Sequence, residues 1–417
     1  MERIGIIESG FIRHIDRIPI TLSAALSRPD WGSFVIKYCV KCLYPETKPD
    51  LWLDENGVCS ACLNYQSRPS IDWRAREIAF GTLLNGCRVP DGSNYECIIP
   101  SSGGKDSHYQ VLKMLELGAN PLVVTATTDA LSDIGRRNIE NVKTLGVDCI
   151  EVTPNPALRR RMSRFGLEQV GDISWTEHVA IFTVPVRIAV QLSVPLIVWG
   201  ENPQNEYGGP NNATQVNILN RRWLEEYGGL LGLRISDFIE QLGIRSHDLI
   251  QYTYPDEEAL TKANITGVFL GQYFEWDGYA NALISQCHGF ETFPKTVEGS
   301  VVNYENLDNY QTGIHDYFKF LKYGFGRATD IVCNHIRRGR INRGEGLRLV
   351  KLHDGKFPWT YLGKPITEIL AEIELNLDDF QKICDRFTNK HLFRTDTSGA
   401  FERDWAGDLI KINHDNP

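Results

Sequence analysis

The stretch Pro100-Ser101-Ser102-Gly103-Gly104-Lys105-Asp106-Ser107 constrains this chain more than any other part of it. It lies between a short apolar run of strand type and a segment whose apolar residues recur at helical spacing. Two adjacent glycines let the backbone turn tightly and approach an anion with no Cβ in the way. Amides exposed by such a turn, together with the positive end of the helix that follows, bind phosphate oxygens. Ser101, Ser102 and Ser107 add hydroxyl donors, and Lys105 adds a positive charge. The order is not that of a Walker A loop, which needs G-x-x-x-x-G-K-[ST], because here the glycines adjoin and Lys105 is followed by Asp106.

Around this loop, strand-type runs alternate with helical spacing, which predicts a doubly wound, mostly parallel α/β sheet. Strands are expected over 95–100, 121–128, 147–152 and 195–200. Helices are expected over 71–84, 107–117, 133–145 and 176–193, the last kinked at Pro185. In sheets of this kind, ligands bind at the carboxyl ends of the strands. That places Thr127 and Asp129, after the second strand, and Glu201 and Asn202, after the fourth, beside the loop. Further helices are expected over 223–241, 308–323, 366–375 and 377–387. The chain therefore divides into an extension (1–36), a cysteine-bearing module (37–70), the phosphate-loop domain (71–329) and a helical C-terminal region (330–417).

Four of the ten cysteines form Cys39-x₂-Cys42-x₁₆-Cys59-x₂-Cys62. Two such knuckles can set four thiolates tetrahedrally around Zn²⁺ in a closed, structural site. An iron–sulfur cluster could use the same ligands. The remaining cysteines are scattered and read as small buried hydrophobes.

At 417 residues, with 42% hydrophobic and 23% charged residues, the composition is that of a globular protein. No apolar run approaches the ~20 residues of a membrane helix, and charges interrupt the first thirty residues too often for a secretory signal. The expected location is the cytoplasm, with no membrane partner. A net charge of −9 argues against nucleic acid as a partner. The arginine runs at Arg159–Arg161 with Arg164, and at Arg337, Arg338, Arg340 and Arg343, read as solvated helix faces. Lys319, Lys322 and Arg327 read the same way, with contact to a pyrophosphate or a substrate carboxylate as the alternative.

The residues SGGKDS resemble the PP-loop of the ATP-pyrophosphatase superfamily, whose members cleave ATP to AMP and pyrophosphate. That resemblance implies that Ser101–Ser107 cradle the pyrophosphate, that Asp106 helps to place Mg²⁺, and that Thr127 and Asp129 lie against the adenine. More of the chain, through YCVKCLYPETKPDLWLDENGVCSAC, IIPSSGGKDSHYQVL, PLIVWGENPQNEYGGP and FLGQYFEWDG, resembles the N-acetyl sugar amidotransferases of lipopolysaccharide and nonulosonic-acid biosynthesis. This second resemblance implies conversion of an N-acetamido group on a nucleotide-activated sugar into an acetamidino group. ATP and ammonia would be consumed, the ammonia coming from a separate glutaminase subunit like that of imidazole glycerol phosphate synthase. The expected catalytic residues are Lys105, Asp106, Glu201 and Asn202, with ATP, Mg²⁺ and structural Zn²⁺ as cofactors. The alternative is a PP-loop tRNA-modifying enzyme of thiolase or lysidine type, against which the acidic balance argues.

Overall fold

The computed structural model describes residues 36–201, 206–208 and 230–412. Asn202 and most of the extension lie outside the described residues. Residues 35–417 cluster as one compact unit.

Five parallel strands form the central sheet: β1 (Cys97–Pro100), β2 (Pro121–Ala126), β3 (Asp148–Val152), β4 (Leu196–Trp199) and β5 (Thr266–Phe269), in the order β3-β2-β1-β4-β5. The chain winds outward from β1 through β2 to β3, then returns to the other side of β1 for β4 and β5. The strand order thus reverses between β1 and β4, and the loops leaving these two strands flank the crevice of such a sheet.

β1, β2 and β4 are buried on both faces and therefore read as near-continuous apolar runs, whereas the edge strand β3 carries Asp148 and Glu151 and is only partly covered. On one face Ile98, Leu122, Val124, Ile197, Trp199 and Phe269 meet helices α5 (Pro156–Val170) and α6 (Trp175–Leu192). On the other, Cys97, Ile99, Val123, Leu196, Val198 and Val268 meet α2 (Trp73–Gly86) and α3 (Lys105–Glu116). Residues one apart thus serve opposite cores, as the period of two in a strand requires.

The four expected strands form within two residues of their predicted limits. α2, α3, α4 (Asp133–Thr144) and α6 also appear where expected, with Pro185 inside α6. β5 was not predicted, because four residues with Gly267 among them carry little strand signal. α5 was also missed. Its Asn155 N-cap accepts from Ala157 N and Leu158 N and Pro156 stands at the first turn, but its triple arginine hid the apolar stripe.

The cysteine module contains α1 (Ser60–Ser67) and packs on the C-terminal region. Cys39, Leu43, Val58 and Cys62 share a core with Val332, Cys333 and Val350 of α11 (Arg327–Arg337) and α12 (Arg343–His353). After α7 (Ile235–Leu242) and α8 (Glu257–Ala263), α9 (Gly278–Cys287) runs between sheet and C-terminal region and packs on α3. α10 (Thr312–Tyr323), α13 (Ile366–Ala371) and α14 (Leu377–Phe387) complete the helices used below. No described helix is long and apolar enough to cross a membrane.

Phe238 anchors the α5–α6 face, with its ring 4.6 Å from Trp175 and 5.0 Å from Phe165 and no exposed surface. Phe238→Ala is expected to cost about 3–5 kcal/mol in urea unfolding, with an unchanged denaturant slope.

Candidate functional site

The loop after β1 keeps one strand contact, Ser101 N donating to Val124 O at 2.9 Å, and then turns. Gly103 has φ +79°, and a Cβ there would lie 2.8 Å from the Ile139 backbone nitrogen, so both dihedral and space demand glycine. Gly104 caps α3 without any side-chain cap, whereas Ser132 accepts from Gly135 N at the start of α4. The first amides of α3 have no intrahelical acceptors and border a cavity of about 110 Å³ lined by Ser102–Ser107, Asn138 and Tyr304–Asp308. Ser107 Oγ accepts from Ser102 N at 3.3 Å, and Ser101 Oγ accepts from Gly103 N at 3.1 Å, so these two hydroxyls shape the turn. His108 braces it from behind. Its Nδ1 is 3.0 Å from Gly104 O and its Nε2 is 2.9 Å from Asn141 Nδ2.

Lys105 is buried and points back across the loop, with Nζ 2.9 Å from Glu305 Oε1 and in contact with Asp106. Burial alone would push its pKa down. The charges of Asp106, Glu305 and Glu201 outweigh that and hold it well above the ordinary lysine value, so it stays an ammonium. α9 fastens the same residues, since Asn281 Nδ2 donates to Asp106 Oδ1 at 2.9 Å and Ser285 Oγ to Lys105 O at 2.7 Å.

A second, smaller space of about 40 Å³ adjoins Lys105 on the β4 side, lined by Glu201, Glu206, Tyr207, Tyr304, His335, Arg338 and other residues. Burial first, then the charge of Asp106, pushes the Glu201 carboxyl up to about 8, with Lys105 opposing and Glu206 and Glu305 adding to the rise. Glu206 is instead clamped by guanidinium groups, with Arg68 in contact and Arg338 Nη2 at 3.3 Å. Trp276 closes the floor, packed so tightly on the end of β4 that a Cβ at Gly200 would meet it at 3.0 Å.

At the end of β2, Thr127 is buried and its carbonyl accepts from Arg159. Asp129 pairs with the same arginine, accepts from Ser163 Oγ at 2.8 Å, and its amide donates to Glu177 Oε1 at 3.2 Å. Arg159 is thus a buried partner and not part of a solvated face. The same correction applies around α10 and α11. Arg327 pairs with Asp316 at 2.9 Å, Lys319 with Asp330, and Arg338 with Glu206. Lys322 donates to the carbonyls of Val170 and Gly171 at 2.7 and 2.8 Å. Carboxylates and, for Lys322, backbone carbonyls bind these cations within the fold, and such partners leave no mark in local spacing.

The structure brings together Ser101–Ser107 and Glu201, and sets Thr127 and Asp129 at the neighbouring strand end. Glu305, Asn281, Ser285 and Tyr304 also border the loop, and sequence reasoning did not find them. They come from segments more than 170 residues away with no motif of their own.

The four cysteines converge. Cys39 Sγ lies 3.9 Å from Cys62 Sγ, and Cys42 Sγ 3.6 Å from Cys59 Sγ. Sulfurs at ~2.3 Å from a tetrahedral ion stand about 3.8 Å apart, so the set fits a single Zn²⁺. Cys39 Sγ also accepts from the amides of Cys42 and Cys59 at 3.5 and 3.3 Å.

Comparison with known proteins adds a finding on the C-terminal side. Residues 291–406 match the family model described as LPS biosynthesis protein WbpG-like, C-terminal domain. The C-terminal part of this chain is similar to that domain. No curated protein matches the chain. Among solved structures, a predicted subunit of tRNA methyltransferase from Methanocaldococcus jannaschii aligns with TM-score 0.25 and 11% identity over 46% of this chain and 75% of its own. NMN synthetase from Francisella tularensis aligns with TM-score 0.26 and 13% identity over 46% of this chain and 92% of its own. Likenesses this slight carry no argument about activity, and the architecture rests on the strand order and the loop geometry.

The Glu201 carboxyl sets a pH dependence. It holds its proton up to about 8 in the folded protein and releases it near the ordinary 4.5 when unfolded. The folded state therefore binds more protons between these values, and stability falls as pH rises through that window. Glu201→Gln mimics the neutral acid and is expected to flatten the fall in melting temperature between pH 5 and pH 8. An unchanged slope would place the titration elsewhere.

Proposed function

We propose that this protein is an ATP-dependent amidotransferase of lipopolysaccharide O-antigen or nonulosonic-acid biosynthesis. It adenylates an N-acetamido oxygen of a nucleotide-activated sugar, and ammonia then displaces AMP to give an acetamidino group. The observation that carries the reading is the buried Lys105, held beside an uncapped helix start and the two-glycine turn at the switch point of the sheet. The similarity of residues 291–406 to a domain of LPS biosynthesis proteins supports the direction of the chemistry.

An amide carbonyl is a poor electrophile, because its nitrogen donates into it and oxide does not leave. Transfer of AMP to that oxygen supplies a leaving group and releases pyrophosphate. Ammonia then adds to the imidate carbon, AMP departs, and no side-chain nucleophile is required. Placement and charge neutralisation are the protein's contribution. In this reading the amides of Gly104–Asp106 and the ammonium of Lys105 hold the outer phosphates. Asp106, beside them, is the residue to place Mg²⁺, which when bound neutralises phosphate charge. Thr127 and Asp129 border the adenine. Glu201 faces the reacting side, where its neutral acid form can hydrogen-bond an acetamido group, and Asn202 follows it in sequence. Ammonia would come from a glutaminase subunit, and the assembly would work in the cytoplasm.

Incubating the protein with ATP, Mg²⁺, ammonia and candidate nucleotide sugars should yield AMP, pyrophosphate and a sugar about one mass unit lighter. Lys105→Ala should lower this turnover by about 10² or more while circular dichroism stays unchanged. Formation of ADP, or full activity in the variant, would sink the reading, and AMP formation dependent on tRNA would redirect it to a tRNA-modifying enzyme.

The four cysteines are proposed to hold one structural Zn²⁺. Cys42→Ser should lose the zinc equivalent and melt well below the parent, since metal binding at such sites is coupled to folding. A fully stable, metal-free variant would contradict the assignment.

A further inference from the structure

A second group of metal-ligating side chains lies apart from the cysteines and from the phosphate loop. Asp172 occupies the turn between α5 and α6, His178 lies in the first turn of α6, and His315 in the first turn of α10. His315 Nδ1 is 2.8 Å from Asp172 Oδ1, and His178 Nδ1 is 3.1 Å from Asp172 Oδ2. One ligand atom from each residue falls within a 4.8 Å sphere of the others. We propose that Asp172, His178 and His315 bind a divalent transition-metal ion, of the kind that takes two imidazoles and one carboxylate and keeps open positions for water or a ligand.

Three observations carry this. First, the spacing is that of ligands sharing an ion. Metal–nitrogen and metal–oxygen bonds of ~2.1 Å put adjacent ligand atoms about 3.0–3.4 Å apart, and the two contacts lie within a few tenths of an ångström of that range. Second, His178 Nδ1 is buried and forms no hydrogen bond in the structure, despite its distance to the carboxylate. A buried ring nitrogen that meets its carboxylate at 3.1 Å without hydrogen-bond geometry is poorly satisfied, and a ligand bond satisfies it.

Third, the frame is built to hold the carboxylate still. Asp172 is 2% exposed and accepts from Ser174 N at 2.9 Å. Gly171 before it ends α5 at φ +62°, where a Cβ would meet Phe318, Lys322 and Phe387 at 2.9 Å. Lys322, on the same helix as His315, donates to Val170 O and Gly171 O, which ties α10 to the turn. That engagement also turns the nearest ammonium onto carbonyls. Neither histidine is sealed, each keeping about a quarter of its side chain exposed (26% and 25%), so solvent or a ligand can reach the ion. Imidazole with carboxylate suits Zn²⁺, Fe²⁺ or Co²⁺ better than Mg²⁺.

The test uses Co²⁺ on the full chain with its four-cysteine cluster already loaded with Zn²⁺, so that thiolate and imidazole sites separate by spectrum. Expected is one further equivalent of Co²⁺ per chain, with visible d–d bands and no thiolate-to-metal charge transfer. Asp172→Asn, His178→Gln and His315→Gln should each weaken that uptake by at least about tenfold, with zinc content and circular dichroism serving as fold controls. No uptake by the parent protein would overturn the proposal and leave a carboxylate-bridged histidine pair. So would uptake that carries thiolate charge transfer, or uptake unchanged in all three variants. None of these readouts depends on nucleotide turnover, so this proposal and the amidotransferase reading fail separately.

Discussion

A single buried ammonium organises the centre of this protein. Lys105 sits where carboxylates from three separate segments converge, Asp106 beside it in the loop, Glu305 from the C-terminal side and Glu201 from the end of β4. Removing an ammonium from water is costly, and it persists in the interior because the charges of Asp106 and Glu305 compensate, with Glu201 adding to them once it ionises. Asp106 and Glu305 in turn meet across this one cation. The site is therefore acidic around a cationic point. A polyphosphate entering it must bring counter-charge, which is why an ATP-binding role for this loop entails a divalent cation.

The second level of organisation is a set of arginines that join regions distant in sequence. Arg68, from the end of the cysteine module, and Arg338, just past α11, both grip Glu206, while Arg337 Nη2 donates to Glu206 O at 2.9 Å. Arg338 also donates to Trp276 O at 2.5 Å, and its Nη1 lies 3.5 Å from Asp277, the N-cap of α9. Arg337 stacks on Tyr44 with its guanidinium 5.4 Å from the ring centroid. Through these contacts the knuckles, the segment after β4 and the helix that pins the phosphate loop form one mechanical unit. Among the described residues, no hydrogen bond or ion pair joins the four cysteines to the loop. It fixes the platform from which Arg68 reaches Glu206, and a structural ion there would act on the site through that guanidinium.

How much of this was legible from sequence follows the range of each interaction. The loop and β1–β4 were readable because composition and spacing within eight residues determine them, and the positive φ at Gly103 is what the paired glycines announced. The convergence of the four sulfurs was readable because two C-x₂-C turns leave little freedom. Arg159 was misread because an arginine triplet looks solvent-facing unless the reader knows that Asp129, thirty residues earlier, will claim one member. Glu305 and Asn281 were invisible for the same reason, since a lone acid or amide acquires meaning only from the loop it reaches across 175 or more residues. The expected site at the end of β2 lies at the right strand end. However, the structure shows Asp129 engaged by Arg159, Ser163 and Glu177, so it orders the strand end more than it projects into a cavity.

The two halves of the described chain divide the walls of the cavity between them. The sheet contributes the loop and Thr127, which handle phosphate and adenine in the proposed reaction, and Glu201, which faces the acceptor there. The region similar to the LPS-biosynthesis domain contributes Tyr304–Asp308 along the wall of the loop cavity, Arg338 and Arg340 on the β4 side, and Asn309, whose amide donates 2.6 Å bonds to both oxygens of Glu177. It also supplies His315 to the Asp172 cluster. The sheet's own residues leave the cavity open toward that region, and without it Lys105 would lose Glu305 and Glu177 its amide partner. In the proposed reaction, the C-terminal segment is therefore the part of the chain placed, with Glu201, to meet the acceptor.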